Sequence, residues 1–208
     1  MSRKTVRASP AKVLTLDEAD KRVRRSKQAV LTATYQLLTE AGISGISVDE
    51  VSRRSGVAKT TIYRHWPSRS ALVLDACSKL TPKRDAPDTG SLRGDLIALT
   101  SDLAHRLKTA RWPAVLPSII DAAERDSELA DVYSALHSAL ISGFRIAVER
   151  GQKRGEISRK RSVTEIVAAI LGPIFYRRWF SREPLDKHFV TGIIQSQIGG
   201  TQSPGNSR

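Results

Sequence analysis

The stretch Ser47–Trp66, SVDEVSRRSGVAKTTIYRHW, predicts two short helices joined by a tight turn. Ser47 and Glu50 form an S-x-x-E capping box, in which the Ser hydroxyl accepts an early helix N–H and the Glu reaches back to the Ser. Gly56 is expected to end the first helix, because glycine adopts the left-handed conformation without a steric penalty. With a second helix expected over Lys59–His65, the stretch has the pattern of a helix-turn-helix.

The second predicted helix separates an inward face from an outward face. Ala58, Ile62 and Trp66 recur every four residues, so we expect them to face the core. The outward face offers hydroxyls, an ammonium, a guanidinium and an aromatic ring, which are groups that contact DNA when a helix lies in the major groove. By this geometry the residues best placed for base edges are Lys59, Thr60 and Arg64.

Together with the residues that follow it, this stretch resembles the DNA-binding region of the TetR family of bacterial transcriptional regulators. The matching signature consists of Ser47, Val48, Val51, Gly56, Val57, Thr61, Ile62, Tyr63, His65, Trp66, Ser68, Arg69, Ala71 and Leu72. The likeness covers about residues 26–75, with a weaker likeness to a common C-terminal subtype around Leu92 to Val190. The resemblance implies that phosphate contacts are made by Ser47, Thr61, Tyr63, His65 and Arg69.

Charge and cysteine content narrow the class of protein. The 208 residues carry a net charge of +13, and residues 1–70 hold 14 Lys or Arg against 6 Asp or Glu. A basic N-terminal third favours a polyanionic partner, although solubilising charge is an equal alternative without the helix-turn-helix. Cys77 is the only cysteine, which excludes an intrachain disulfide and a cysteine-based zinc site. Without a signal peptide or an apolar run of membrane-spanning length, we expect a cytoplasmic protein that associates with the nucleoid on its operator.

Apolar periodicity and turn residues predict an all-α fold: an N-terminal three-helix DNA-binding domain and a larger helical domain for ligand binding and dimerisation. The expected segments are a basic flexible arm (1–25), the helix-turn-helix domain (26–80), the effector and dimerisation domain (81–198) and a flexible tail (199–208). Residues 81–90, TPKRDAPDTG, are expected to be a linker. Helices are expected over 26–41, 69–80, 92–107, 128–150, 162–180 and 186–198, a shorter one from about 112, and a break at 151–155.

Two basic features flank the helix-turn-helix. The arm either contacts phosphates or the minor groove, which we favour for residues 21–25, or is a tail without a specific role, which we favour for residues 1–15. We call the second predicted helix, Lys59–His65, the recognition helix, and Ser68 is the expected N-cap of the helix that follows it. Arg69 at that helix N-terminus is expected to clamp a phosphate.

The larger domain carries two further candidate surfaces, and core packing is the alternative interpretation of both. A ligand pocket is expected between the middle helices, with candidate residues Trp112, Leu116, Ile119, Ile120, Tyr133, Phe144, Phe175, Tyr176 and Trp179. The last two helices carry more apolar residues than one inward stripe needs, so we expect a two-fold dimer face there. Its candidate residues are Val163, Ile166, Val167, Ile170, Ile174, Phe189, Ile193 and Ile194.

The resemblance implies a homodimeric repressor that a small molecule releases from a near-palindromic operator by a population shift. The alternatives are an activator or a protein-responsive regulator of the same fold, or an enzyme or carrier with a vestigial DNA-binding head. Catalytic motifs such as H-E-x-x-H and G-x-S-x-G are absent, so we expect no enzyme activity, no cofactor and no metal. His105, His137 and His188 are expected at the surface or in the core, and Cys77 is expected to be a packing residue.

Overall fold

The computed structural model describes residues 16–78, 86–110 and 112–199, and these residues form helices and connecting turns with no strand. The prediction of an all-α fold is therefore confirmed. None of the described helices combines the length and apolar character needed to cross a membrane. The helices are α1 (Leu16–Ala41), α2 (Val48–Ser55), α3 (Lys59–His65), α4 (Arg69–Ser78), α5 (Leu92–Thr109), α6 (Trp112–Ala123), α7 (Ser127–Arg154), α8 (Val163–Tyr176) and α9 (Lys187–Ile198).

Helix α1 begins at Leu16, ten residues before the predicted start, so the flexible arm predicted for residues 1–25 is wrong from residue 16 onward. Residues 20–25 are exposed and have no apolar stripe, which is why periodicity missed them. The segment contains no Pro or Gly, and its acidic residues lie in the first turns, where they interact favourably with the helix dipole. The rest of the predicted arm, residues 1–15, lies outside the described residues.

Helix α1 buries a stripe of apolar residues, Val30, Ala33, Leu37 and Leu38, at helical spacing, while Ala41 at its end is exposed. This stripe packs against α2 and α4 and encloses the helix-turn-helix from behind. Helices α2 and α3 contribute fully buried side chains to the same cluster, so the recognition helix is held by a continuous core.

The core of the N-terminal domain continues past the predicted boundary at residues 80 and 81. Val115 and Ile119 of α6 and Leu129 and Val132 of α7 are buried in the same cluster as the helix-turn-helix. A second cluster joins α5, the C-terminal half of α7, α8 and α9. The N-terminal domain therefore packs directly on α6 and α7, and the two clusters meet along α7.

Helix α7 runs through Gly151 to Arg154, which corrects the predicted break at residues 151–155. Gly151 is buried against Leu92 at the start of α5, and an added Cβ would lie 2.8 Å from Leu92 Cδ2. Here glycine allows the close approach of two helices and does not interrupt the helix. The helix ends instead at Gly155, which has a φ of 78° in the left-handed region.

The described end of the predicted linker, residues 86–90, is fixed to the body by buried charge. Asp95 is fully buried, and its Oδ1 accepts hydrogen bonds from the Thr89 N–H at 2.7 Å and the Thr89 hydroxyl at 2.8 Å. Arg150 donates to the Pro87 carbonyl at 2.9 Å, and Arg154 lies 3.5 Å from Asp95 Oδ2. The remainder of that linker, residues 81–85, lies outside the described part of the chain.

The C-terminal helices follow the predicted limits with one change of geometry. Ser162 caps α8 and Asp186 caps α9, each through its side-chain oxygen. Between them, Arg177–Ser181 forms a π-helical turn directly after α8, and Arg182 follows with a left-handed φ of 57°. The predicted tail 199–208 falls outside the described residues except for Gly199.

Candidate DNA-binding surface and effector cavity

The turn of the helix-turn-helix is built by local caps. Ser47 Oγ accepts the Glu50 N–H at 3.1 Å, and Gly56 ends α2 with a φ of 67°. The Glu50 carboxylate does not complete the capping box. It instead pairs with Arg53 at 2.6 Å and with Arg54 at 2.9 Å, and the hydrogen bonds from Arg53 first and Arg54 second lower the Glu50 pKa to about 2. Arg53 and Arg54 lie three and four positions after Glu50 on one face of α2, so the Glu50 side chain pairs with them instead of reaching back to Ser47.

The inward face of α3 consists of Ile62, which is fully buried, and Trp66, which is 5% exposed. The third predicted member, Ala58, is exposed. Ala58 is the N-cap residue of α3, with non-helical backbone angles, so the helical period does not extend to it. Two inward side chains are therefore enough to set the rotation of this seven-residue helix about its axis.

The outward face of α3 presents the predicted DNA-contact side chains. Lys59, Thr60, Tyr63 and Arg64 are exposed, and Tyr63 is 51% exposed although it is a large aromatic residue. Thr61 and His65 are half-buried at the flanks, and Ser47 is exposed at the start of α2. Lys59 pairs with Asp49 of α2 across the turn. The structure thus brings seven of the eight predicted residues to one side of the helix-turn-helix: Ser47, Lys59, Thr60, Thr61, Tyr63, Arg64 and His65.

The surroundings of His65 disfavour its charged form in the free protein. Its ring makes an edge contact with Trp66 at a centroid distance of 5.8 Å and an interplanar angle of 72°. Its pKa is lowered first by desolvation and then by the positive charges of Lys27 and Arg64. A nearby phosphate would reverse this balance, because an anion favours the charged imidazolium. His65 is therefore a site where DNA binding and protonation can be linked.

Arg69 differs from the expectation of a phosphate clamp. Its guanidinium donates a hydrogen bond to the Ile43 carbonyl in the 3-10 turn Ile43–Gly45 that follows α1, and the residue is half-buried. The predicted cap is present, since Ser68 Oγ accepts the Ala71 N–H at 3.1 Å. In this conformation Arg69 fixes the N-terminus of α4 to the turn after α1.

Helix α4 joins the recognition helix to the body. Trp66, immediately after α3, donates its indole N–H to Asp75 Oδ2 at 2.9 Å. Ser70 donates to Glu128 Oε2 at the start of α7, at 2.6 Å. Cys77, in the last turn of α4, is 2% exposed, and burial raises the pKa of its thiol to about 12. Asp75, which bonds Trp66, and the buried Cys77 therefore lie two residues apart on one packed helix.

A cavity of about 260 Å³ lies where the two hydrophobic clusters meet. Its walls come from α4, α6, α7, α8 and the π-helical turn. The side chains that line it are Cys77, Val115, Leu116, Ile119, Ile120, Tyr133, Leu136, His137, Leu140, Phe175, Trp179 and Phe180.

Six of the nine pocket candidates line the cavity, namely Leu116, Ile119, Ile120, Tyr133, Phe175 and Trp179. Phe144 is instead buried in the body core, and Tyr176 is 58% exposed and stacks on Phe180. The side chain of Trp112 lies outside the described part of the chain. Sequence reasoning missed the α7 residues Leu136, His137 and Leu140, although with Tyr133 they form a stripe at i, i+3, i+4 and i+7.

The predicted dimer-face residues form the core of the protomer. Val167, Ile170, Ile174 and Ile193, together with Ile166 and Ile194, are each at most 8% exposed and belong to the body cluster, while Val163 and Phe189 are half-buried against it. The six buried side chains face the core of the protomer, whereas Val163 and Phe189 remain partly accessible. The exposed residues of α8 include Thr164, Ala168, Gly172 and Tyr176, spaced four residues apart, together with Glu165 and Pro173. Neither Gly172 nor Gly192 of α9 has an atom within 4 Å of an added Cβ.

Comparisons with known proteins agree with this architecture. Residues 30–76 match the family described as bacterial regulatory proteins, tetR family, and residues 86–196 match the tetracyclin repressor-like C-terminal domain. The chain is 30% identical to the uncharacterized HTH-type transcriptional regulator YdeS of Bacillus subtilis, over 85% of this chain and 89% of that protein. It is also 30% identical to the DNA-binding transcriptional repressor TetR of Mycobacteroides abscessus, over 82% of this chain and 90% of that protein.

Among solved structures, the TetR family transcription regulator SCO0332 shares 31% identity and a TM-score of 0.66, over 86% of this chain and 100% of that one. The C-terminal match alone spans more than half of the 208 residues, and it continues the N-terminal match on the helix-turn-helix. The chain therefore belongs to the TetR family of DNA-binding, helix-turn-helix transcriptional regulators.

Proposed function

We propose that this regulator is a cytoplasmic repressor that binds a near-palindromic operator as a homodimer and is released when a small molecule enters the cavity. The observation that carries the proposal is the position of α4. Toward its C-terminal end, Asp75 accepts a hydrogen bond from Trp66 beside the recognition helix, and two residues later Cys77 forms part of the cavity wall. Occupancy of the cavity and orientation of the recognition helix thus act on the same ten-residue helix.

The outward face of α3 supplies the proposed DNA contacts. Thr60 and Arg64 are proposed to contact base edges in the major groove, because they are exposed on the side of α3 opposite Ile62. Lys59, exposed in the first turn of α3, is proposed to contact base edges beside them. The proposed phosphate contacts come from the flanking residues Ser47, Thr61, Tyr63 and His65. Arg69 has a supporting role in this proposal, since its guanidinium is engaged by the Ile43 carbonyl.

One recognition helix in one groove gives a short contact set, and a two-fold dimer doubles it on half-sites about one helical turn apart. We place the dimer face on the exposed side of α8 and α9. Exposed Ala168 and Gly172 allow helices to approach closely, and exposed Tyr176 and Phe180, at 58% and 76%, supply apolar area at the end of the stripe. This support comes from exposure and spacing, which differ from the buried positions expected from sequence.

The dimer face is tested by charge insertion. Ala168→Arg is expected to convert a dimer to a monomer in sedimentation equilibrium, because a guanidinium would be buried without a partner. Ala98→Arg, at an exposed alanine of α5, is the matched control and is expected to leave the dimer intact. A dimer that persists in Ala168→Arg would place the interface elsewhere.

Release follows from a population shift. A ligand lowers operator affinity only if it binds the DNA-incompatible spacing of the two heads more tightly than the compatible one. Widening the cavity would displace Cys77 and the last turn of α4 relative to α6 and α7. Ser70, near the N-terminus of α4, is held to Glu128 of α7, and Asp75 near its other end holds Trp66, so the displacement would rotate the recognition helix relative to its partner.

Operator selection from random duplex DNA with the full-length protein tests the proposal. For the selected site, Arg64→Ala is expected to weaken binding about 5- to 150-fold, the range for loss of one base-reading contact. Arg145→Ala removes an exposed arginine of α7 and is the matched control, with no more than about a twofold change expected. Recovery of no defined site, or equal losses in both variants, would contradict the proposed role of α3.

A further inference from the structure

The walls of the cavity lack formal charge. The described side chains that line it include no Lys, Arg, Asp or Glu. The Cys77 thiol does not supply an anion either, because its burial keeps it protonated near neutral pH. An ion in such surroundings loses its hydration without gaining a partner, and this costs far more than burial of a neutral group. The chemistry of the walls therefore selects against charged ligands.

The polar groups of the cavity are confined to one region. The inner end is formed by the buried residues Cys77, Val115 and Ile119. Tyr133 and the exposed His137 lie one turn apart on α7, with their rings stacked at a centroid distance of 6.0 Å and an angle of 28°. A bound ligand would therefore contact apolar surface at the inner end and hydrogen-bonding groups near the mouth.

The volume and the aromatic walls indicate the size and shape of the occupant. An engineered apolar cavity of about 150 Å³ holds one benzene. By proportion, about 260 Å³ suits a two-ring molecule of about ten to fifteen non-hydrogen atoms. Phe175 and Trp179, with centroids 5.2 Å apart and planes at 46°, offer ring faces to such a molecule.

We propose that the effector is an uncharged, compact aromatic molecule of one or two rings, with a hydroxyl or carbonyl group that lies beside Tyr133 and His137. This inference rests on the proposed effector role of the cavity. It assigns the apolar rings to the inner end and the hydrogen-bonding group to the mouth.

Isothermal titration of the full-length protein with four naphthalene probes tests the class directly. They are naphthalene, 2-naphthol, 2-naphthylmethylamine as the cation and 2-naphthoate as the anion. We expect 2-naphthol to bind most tightly, naphthalene next, and both ions at least about tenfold more weakly than 2-naphthol. Binding of either ion as tightly as 2-naphthol would overturn the proposal.

Two pairs of variants locate the probe. Leu136→Trp fills the cavity and is expected to weaken 2-naphthol binding at least about tenfold, whereas Ala135→Trp, at an exposed position of α7, leaves it unchanged. His137→Leu is expected to weaken 2-naphthol about two- to tenfold while sparing naphthalene, and the exposed His105→Leu is the control. Because His137 is exposed, its substitution should leave the packing of the core unchanged. Unchanged 2-naphthol affinity in Leu136→Trp, with an unaltered thermal midpoint, would overturn the assignment.

A parallel measurement of operator affinity separates this proposal from the proposed function. Preferential binding of 2-naphthol without loss of operator affinity would uphold the ligand class and contradict the effector role. Release from the operator by the cation or anion alone, abolished by Leu136→Trp, would uphold the effector role and overturn the ligand class.

Discussion

The hydrogen bond between Trp66 and Asp75 connects the recognition helix to α4, so its removal tests whether the two move together. The indole N–H lies 2.9 Å from Asp75 Oδ2, and Trp66 is 5% exposed. A hydrogen bond to a charged acceptor contributes about 1.5–3 kcal/mol, and the partial exposure of Asp75 places this one near the lower end. We therefore expect a coupling free energy of about 1–2 kcal/mol.

A double-mutant cycle measures this coupling. It compares the urea unfolding free energies of the wild type, Trp66→Phe, Asp75→Ala and the double variant at one fixed protein concentration, because dimerisation would make stability concentration-dependent. Asp75→Ala alone leaves a buried N–H unpaired and is expected to cost about 1–3 kcal/mol. It should also reduce the ability of a cavity ligand to lower operator affinity. Strict additivity of the two single substitutions, or unchanged ligand response in Asp75→Ala, would refute the connection through α4.

Three further predictions concern charge and packing. The pKa of His65 is lowered in the free protein, and a bound phosphate would raise it, so operator affinity should increase as the pH falls from about 7.5 to about 5.5. In a fluorescence anisotropy titration, His65→Asn should flatten this pH dependence, whereas His188→Asn, at an exposed position, should retain it. Gly151→Ala should lower the free energy of unfolding by about 1 kcal/mol, because the cost of overpacking against Leu92 exceeds the gain in helix propensity. A thermal denaturation midpoint equal to or above that of the wild type would contradict the close packing of α5 and α7. The lowered pKa of Glu50 implies stabilisation that is present above its ordinary pKa of 4.5 and is lost as the pH falls toward about 2. The thermal midpoint of Glu50→Gln should therefore vary less with pH in this window than that of the wild type, and parallel plots of midpoint against pH for the two proteins would contradict the ion pairs.

The helix-turn-helix could be predicted closely because its signals are local. Ser47 marks the N-cap of α2, Gly56 has the left-handed φ that ends it, and α3 has the predicted limits Lys59–His65. Each of these features depends on residues within four positions of one another, which is the range over which caps and helical periodicity operate. Ala58 precedes the first residue of α3 and has non-helical backbone angles, so the helical period does not apply to it, and its burial was predicted wrongly.

Features that depend on distant partners could not be predicted in the same way. A glycine at position 151 predicts a helix break from sequence alone, and only the close approach of Leu92 from α5 explains why Gly151 lies inside α7. Arg69 has the sequence position of a phosphate clamp, but in the structure its guanidinium donates a hydrogen bond to the carbonyl of Ile43, 26 residues earlier. Residues 20–25 lack an apolar stripe and are exposed, although they belong to the first part of α1.

The body was harder to predict because several of its faces are apolar. In α8 the aliphatic residues Ile170 and Ile174, which hydrophobicity alone assigned to a dimer face, are buried in the protomer core. The cavity lies between two clusters that meet only in three dimensions, and Cys77 reaches it from the N-terminal domain. A stripe of Tyr133, Leu136, His137 and Leu140 was visible in the sequence, but core packing explained it equally well.

Hydroxyl-radical footprinting of the full-length protein on its selected operator tests the central claim, that the exposed face of α3 reads DNA in a two-fold dimer. We expect two protected patches on one face of the duplex, centred about one helical turn or about 34 Å apart. Both patches should disappear in a variant that carries Tyr63→Ala and Arg64→Ala, at protein concentrations where Arg145→Ala retains them. A single patch, or two patches that persist without Tyr63 and Arg64, would contradict the account.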